Sequence, residues 1–247
     1  MALQESFEKQ GNWLFKRRGF LPLFIVIVGG GWYVFLLYNN AVTIHHWWVD
    51  FLYLCVGFLG LGIRILTIGF TPKGTSGRNT GAGQIAEQLN TAGIYSMVRH
   101  PLYLGNFFMW LAPVLILSDL WFTLFFCLFY WIYYERIMYA EEQFLRKKFG
   151  QEYLDWSSKT PAFFPKFSLY KKTDLQFSLK SVLKREYNGF FNLVFIITLL
   201  RILGFAITNK QFELDKPWCI IISAAFVIFL SLKIIRKFTN LLNVEGR

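Results

Sequence analysis

In the stretch YSMVRHPLYLGNFFMW (95–110), Arg99, His100 and Pro101 stand directly before an apolar run, and Glu141 and Glu142 stand just past the next one. Pro at the first turn of a helix gives up an N–H that would be unpaired anyway and fixes how the chain enters. Arg99 and His100 then lie where free N–H groups and the helix dipole favour an anion. The two carboxylates favour a cation. Taken singly, Arg99 is a snorkelling side chain, His100 a cap and the Glu pair a solvated helix end. Brought together, they form a site with anion and cation preferences side by side.

Positioning them falls to helices in a bilayer. The chain has 247 residues, 55% hydrophobic and 20% aromatic, with 17% charged and a positive mean hydropathy. The apolar residues come in blocks rather than stripes. Six runs can span a membrane, which needs about 20 residues each: 20–38, 48–70, 102–117, 120–140, 189–207 and 217–235. This predicts an all-α, polytopic membrane helical bundle of about six transmembrane helices with a cytoplasmic interfacial helix. Only Ser118 and Asp119 separate the third and fourth runs, so these form a tight antiparallel hairpin that carries both motifs to one side. In this scheme 22 of the 26 Lys and Arg residues fall on that side, which the positive-inside rule makes cytoplasmic, together with both termini. A core over 1–187 and a C-terminal hairpin over 188–247 are expected.

The formal charge of +11 does not indicate nucleic acid, because the basic residues flank apolar blocks instead of forming a folded polar face. Cys55, Cys127 and Cys219 each lie within an apolar block without ligand spacing, so neither a disulfide framework nor a metal site is expected. Lys16, Arg17 and Arg18 precede the first run without a cleavage site, and the reading is an uncleaved first span. Gly29, Gly30 and Gly31 inside it suggest close helix packing. The loop 71–93 is rich in Gly, Thr and Asn and of a length that is often functional; its GAGQIAEQ lacks the strand of a dinucleotide site. Beyond Glu142, Phe144, Leu145, Phe149, Tyr153 and Trp156 recur at helical spacing, as in a helix on the membrane surface that ends before Pro161.

A paired anion and cation preference suits a zwitterion. S-adenosylmethionine carries a carboxylate, an ammonium and a sulfonium, which donors, a carboxylate and aromatic walls such as Tyr95 and Tyr103 can serve. GIYSMVRHPLYLG, followed by RIMYAEEQFLRKKFGQEYLDWSSKTPAFFP, resembles the isoprenylcysteine carboxyl methyltransferase family and, more loosely, the phospholipid methyltransferases, over roughly residues 60 to 165. The resemblance implies S-adenosylmethionine contacts from Tyr95, His100, Pro101, Leu102, Tyr103 and Glu141, with Gln88, Leu89, Asn90 and Thr91 on the adenosine side. Arg99 and Glu142 complete the clamp. Two departures stand out: Glu87 occupies a frequent His position, and Arg136 lies five residues before Glu141 where the family's substrate-side Arg lies four before, a shift of about 100° around a helix.

Methyl transfer from a sulfonium needs alignment and a desolvated nucleophile more than a strong base. The expected acceptor is lipophilic, reached sideways from the bilayer, and carries an oxyanion that Arg136 or the intramembrane Arg64 orients. The motifs hold no obvious additional base. A phospholipid amine N-methyltransferase is the nearest alternative. A sterol-type reductase using NADPH and a non-enzymatic transporter are the others. Arg201, deep in the fifth run, is expected to pair with Glu213 or Asp215.

Overall fold

A computed structural model describes residues 2–72, 74, 84–244 and 246. Lys73, Arg78 and Arg247 of the charge count, and Gly81, Ala82 and Gly83 of the loop, lie outside the described residues. The structure is a helical membrane bundle: α1 (Leu3–Arg17), α2 (Phe20–Tyr38), α3 (Trp47–Gly69), α4 (Pro101–Ile116), α5 (Leu120–Phe149), α6 (Gln151–Ser157), α7 (Leu179–Thr208) and α8 (Lys216–Phe238). Among the described residues three helices, α3, α7 and α8, are long and apolar enough to cross a membrane; Leu23–Tyr38 and Pro101–Ile116 are shorter apolar helices.

The hairpin forms as expected. Ser118 takes a left-handed φ of 51°, and the Asp119 carboxylate caps α5 by accepting from the Phe122 N–H at 2.5 Å. The return helix is longer than expected. α5 runs 30 residues, through Glu141 and Glu142 to Phe149, and stops at Gly150, whose φ of 54° favours a residue without Cβ. The single surface helix anticipated beyond Glu142 is therefore an extension of α5 followed by the short α6. A run of strong helix formers after Glu141 gives α5 no reason to end at the apolar boundary.

Two elements were not foreseen. α1 is a helix over a mostly polar stretch, packed on the far half of α5; Gly11 touches it so closely that a Cβ would lie 2.0 Å from the Arg136 carbonyl oxygen. α7 is one helix from Leu179 onward, so the expected boundary at residue 188 falls inside it; its first two turns are polar and merely extend beyond the apolar run. In the Gly29 to Gly31 triplet, only a Cβ at Gly29 would meet neighbours, the Phe122 ring and Leu117; Cβ positions at Gly30 and Gly31 face open space. Close packing occurs instead between α3 and α4, where a Cβ at Gly60 would lie 2.3 Å from the Gly105 carbonyl oxygen.

The core has two parts. One gathers Phe15, Tyr103, Phe126, Tyr130, Tyr134 and Ile137 from α1, α4 and α5. The other gathers Tyr33, Leu54, Ala112, Ile197 and Trp218 from α2, α3, α4, α7 and α8. Near the turn between α4 and α5, Arg201 binds Asp50, donates to Asp215 at 2.5 Å and donates to the His45 carbonyl at 3.1 Å. Asp215 is one of its two expected partners; Asp50, from the first turn of α3, is an addition. His45 in turn contacts Asp50 at 3.1 Å and Ser118 at 2.5 Å. One buried guanidinium thus ties the loops at this end of the bundle.

Candidate cofactor and acceptor site

The site begins in the backbone before α4. The Arg99 N–H donates to the Pro161 carbonyl at 2.9 Å and the His100 N–H to the Ala162 carbonyl at 3.2 Å. The Lys166 N–H reaches the Met97 carbonyl at 3.0 Å. The Arg99 guanidinium donates to the Ser157 carbonyl at 3.0 Å, and the Trp156 indole to the Tyr95 carbonyl at 3.2 Å. The segment after α6 therefore satisfies groups that a helix start would leave unpaired and fixes the entry angle of α4. The anion seat expected at Arg99 and His100 changes accordingly: their backbone N–H groups are spent on carbonyls.

Their side chains face the two carboxylates instead. The hairpin brings His100 Nε2 to 2.9 Å from Glu142 Oε1, and Arg99 Nε to 3.1 Å from the same oxygen. The Tyr103 hydroxyl donates to Glu141 Oε2 at 3.0 Å, while His100 Nδ1 lies 3.7 Å from that oxygen. His100 is 6% exposed, so these contacts are shielded from water. The His100 ring stacks on Tyr103 with centroids 5.6 Å apart, and Tyr103 packs on Tyr134 at 4.9 Å. Burial alone would raise the Glu142 carboxyl, but the hydrogen bond from His100 and the charges of His100 and Arg99 outweigh it and hold it below its ordinary value.

These groups line a cavity of about 830 Å³. Gln88, Leu89, Asn90, Tyr95, Arg99, His100, Pro101, Leu102, Tyr103, Glu141 and Glu142 all border it, and so does Arg64. Thr91 and Arg136 do not. Arg136 points elsewhere: its guanidinium stands 3.5 Å from the centroid of Phe7 on α1 and pairs with Glu135 at 2.9 Å. Arg136, expected on the acceptor side, therefore lies outside the cavity, with its guanidinium against α1.

Arg64 also differs from expectation. Its Nε and Nη2 each lie 2.7 Å from the two oxygens of Glu186, and its Nη1 donates to Asn106 at 2.6 Å. The fork that would grip an acceptor oxyanion is filled by the chain itself. Sequence reasoning missed Glu186, Asn106, Lys184 and Arg236, all of which border the cavity. A signal existed for Glu186: an Arg within an apolar span calls for a buried carboxylate, and Glu186 is the acid that immediately precedes the fifth apolar run. Arg18 and Phe15 border the cavity because of α1, which was not foreseen.

Fold and site together define a polytopic helical membrane protein with a large cavity lined by both charged and apolar side chains. Residues 51–152 match the family described as phospholipid methyltransferase. The chain is 34% identical over 113 residues to the protein-S-isoprenylcysteine O-methyltransferase of Schizosaccharomyces pombe, covering 44% of this chain and 48% of that protein. It is 27% identical over 157 residues to the protein of the same description from Tribolium castaneum, covering 61% and 54%. It is also 32% identical over 124 residues to the cobalt-zinc-cadmium resistance protein CzcN of Cupriavidus metallidurans, covering 50% and 54%. The chain spans about half the length of the curated relatives it matches. No solved structure matches it.

Proposed function

We propose that the chain is an integral membrane methyltransferase that uses S-adenosylmethionine to methylate a lipophilic acceptor, with its site and both termini at the cytoplasmic face. The observation that carries this reading is the clamp of Arg99, His100 and Tyr103 against Glu141 and Glu142 on the wall of a large cavity. The residues present fit the cofactor. The volume of about 830 Å³ falls within the range of roughly 300–1,000 Å³ usual for small-molecule sites. Carboxylates beside aromatic faces suit an ammonium and a sulfonium. The two close contacts of Glu141 both fall on Oε2, which leaves Oε1 to accept from an ammonium.

When bound, S-adenosylmethionine supplies an electrophilic methyl group on a cationic sulfur. Tyr103 and His100 hold Glu141 in place, Arg99 and His100 hold Glu142, and Gln88, Leu89 and Asn90 take the adenosine side. Arg64 is a positioning residue, held by Glu186 and Asn106. Glu186 has both oxygens engaged by Arg64, so it is a poor proton acceptor. That favours an acceptor already ionised, a carboxylate or phosphate, over an amine that must first lose a proton.

Calorimetry of the purified full chain against S-adenosylmethionine and against NADPH tests the reading. Binding of the first and not the second is expected, with affinity lost in His100→Ala and Glu141→Ala. A well-folded wild type that does not bind S-adenosylmethionine overturns it.

A further inference from the structure

The cavity has a second pole, built by helices outside the family segment. Lys184 from the second turn of α7 and Arg236 from the last turn of α8 both border it. Each is held by a neutral group: Lys184 Nζ donates to the Asn243 side-chain oxygen at 2.5 Å, and Arg236 Nη1 to the Tyr187 hydroxyl at 3.1 Å. Among the described residues neither has a carboxylate within ion-pair distance. The contrast within the same cavity is direct, because Arg64 and Arg99 are paired with Glu186 and Glu142. Arg185 borders it as well. Tyr95 lines the same cavity.

We propose that Lys184 and Arg236 form the acceptor's headgroup subsite, and that the acceptor is a lipid bearing a phosphoryl group. The proposal rests on the methyltransferase reading for the word acceptor, but not for the binding itself. A carboxylate has two oxygens in one plane and is satisfied by a single guanidinium fork, the arrangement Arg64 already makes with Glu186. Two separate cations on two helices, one a point charge and one a fork, suit a group whose oxygens project in several directions, as a phosphoryl does. Their position fits too. Lys184 precedes the apolar part of α7, and Arg236 follows that of α8, so both stand at the depth where lipid phosphates lie. The helix hairpin that supplies them is the part of the chain the family match does not reach, which makes it the place where acceptor choice is set.

The test measures binding to the purified full chain in a neutral detergent. The probes are short-chain phosphatidic acid, short-chain phosphatidylethanolamine, an S-farnesylated cysteine with a free carboxylate, and inorganic phosphate. Both phospholipids are expected to bind more tightly than the farnesylated cysteine, and inorganic phosphate to compete only weakly because it lacks the chains. Lys184→Gln with Arg236→Gln is expected to weaken phospholipid binding about tenfold or more and to leave S-adenosylmethionine affinity within about twofold. Lys184→Arg with Arg236→Lys, which retains both charges, restores binding and guards against a folding defect. Tighter binding of the farnesylated cysteine, or phospholipid binding unchanged in the Gln variant, overturns the proposal. Inorganic phosphate binding as tightly as the lipids assigns the pole to free phosphate and overturns it also. Should wild type bind the lipids but not S-adenosylmethionine, the methyltransferase reading fails alone.

Discussion

Arg64 and Glu186 stand 122 residues apart in sequence and meet in a two-pronged ion pair, with Nε and Nη2 each 2.7 Å from a carboxylate oxygen. The pair joins α3 of the family segment to α7 beyond it, and Asn106 on α4 completes the ring of partners. Side-chain exposure is 21% for Arg64 and 5% for Glu186. Removing one partner strands the other charge in a nearly dry place. Glu186→Ala should lower stability by about 3–5 kcal/mol, read by thermal unfolding in detergent. Replacing both, Arg64→Met with Glu186→Leu, should recover most of that loss. A double variant as unstable as the single one would mean that the pair does more than cancel charge.

Much of this was legible in the sequence, and the limits have physical causes. The hairpin through Ser118 and Asp119 follows from two residues between two apolar runs, and it carries His100 to Glu142 across 42 residues. The depth of the site was not legible, because it depends on Gly60 and Gly105 touching backbone to backbone; single glycines in apolar helices do not announce their partners. Arg136 was misplaced because a one-residue offset cannot be told from a family variant without the helix phase. α1 was hidden because its packing face is short, Phe7, Gly11, Leu14 and Phe15, within an otherwise polar stretch.

The contact between Gly60 and Gly105 lets Arg64 lie along α4, its Cγ 2.6 Å from where a Gly105 Cβ would stand. Gly105→Ala would also meet the Gly60 carbonyl oxygen at 2.7 Å. The helices must part, and overpacking of this kind costs about 1–3 kcal/mol. The expected result is a lower unfolding temperature together with weaker S-adenosylmethionine binding, since Asn106 and Tyr103 move with α4. Gly30→Ala, which faces open space, serves as the control and should change neither. Equal effects of the two would show that crowding is not the cause.

Tyr103→Phe deletes one hydroxyl and little else. Its hydrogen bond to Glu141 at 3.0 Å has a charged acceptor, and such bonds contribute roughly 1.5–3 kcal/mol. Glu141 then loses its orientation, and S-adenosylmethionine affinity should fall about tenfold or more, with the fold intact by circular dichroism. Unchanged affinity would remove Glu141 from the cofactor's binding set.

The Glu142 carboxyl gives a pH prediction. Folding lowers its pKa, so the stability it contributes is complete above the unfolded value of about 4.3 and is lost as the pH falls through the depressed folded value. Unfolding temperatures from neutral pH to about pH 3 should therefore show an acid decline that Glu142→Gln flattens. The variant should also be less stable than wild type at neutral pH, because the charge-assisted contacts with Arg99 and His100 are gone. An acid decline identical in both proteins would refute the assignment.

At the far end of the bundle Arg201, 2% exposed, binds Asp50, itself 1% exposed, together with Asp215. Arg201→Met fills the volume but removes the cation beside Asp50, leaving it the contact with His45 at 3.1 Å. The cost should be about 3–5 kcal/mol, and adding Asp50→Asn should recover a large part by removing the stranded charge. None of Arg201, Asp50 and Asp215 borders the cavity that holds Glu141 and Glu142, so the double variant should bind S-adenosylmethionine as wild type does once folded. If Arg201→Met alone unfolds no earlier than wild type, the buried ion cluster is not what ties these loops together, and the apolar packing around Trp218 and Ile197 is sufficient.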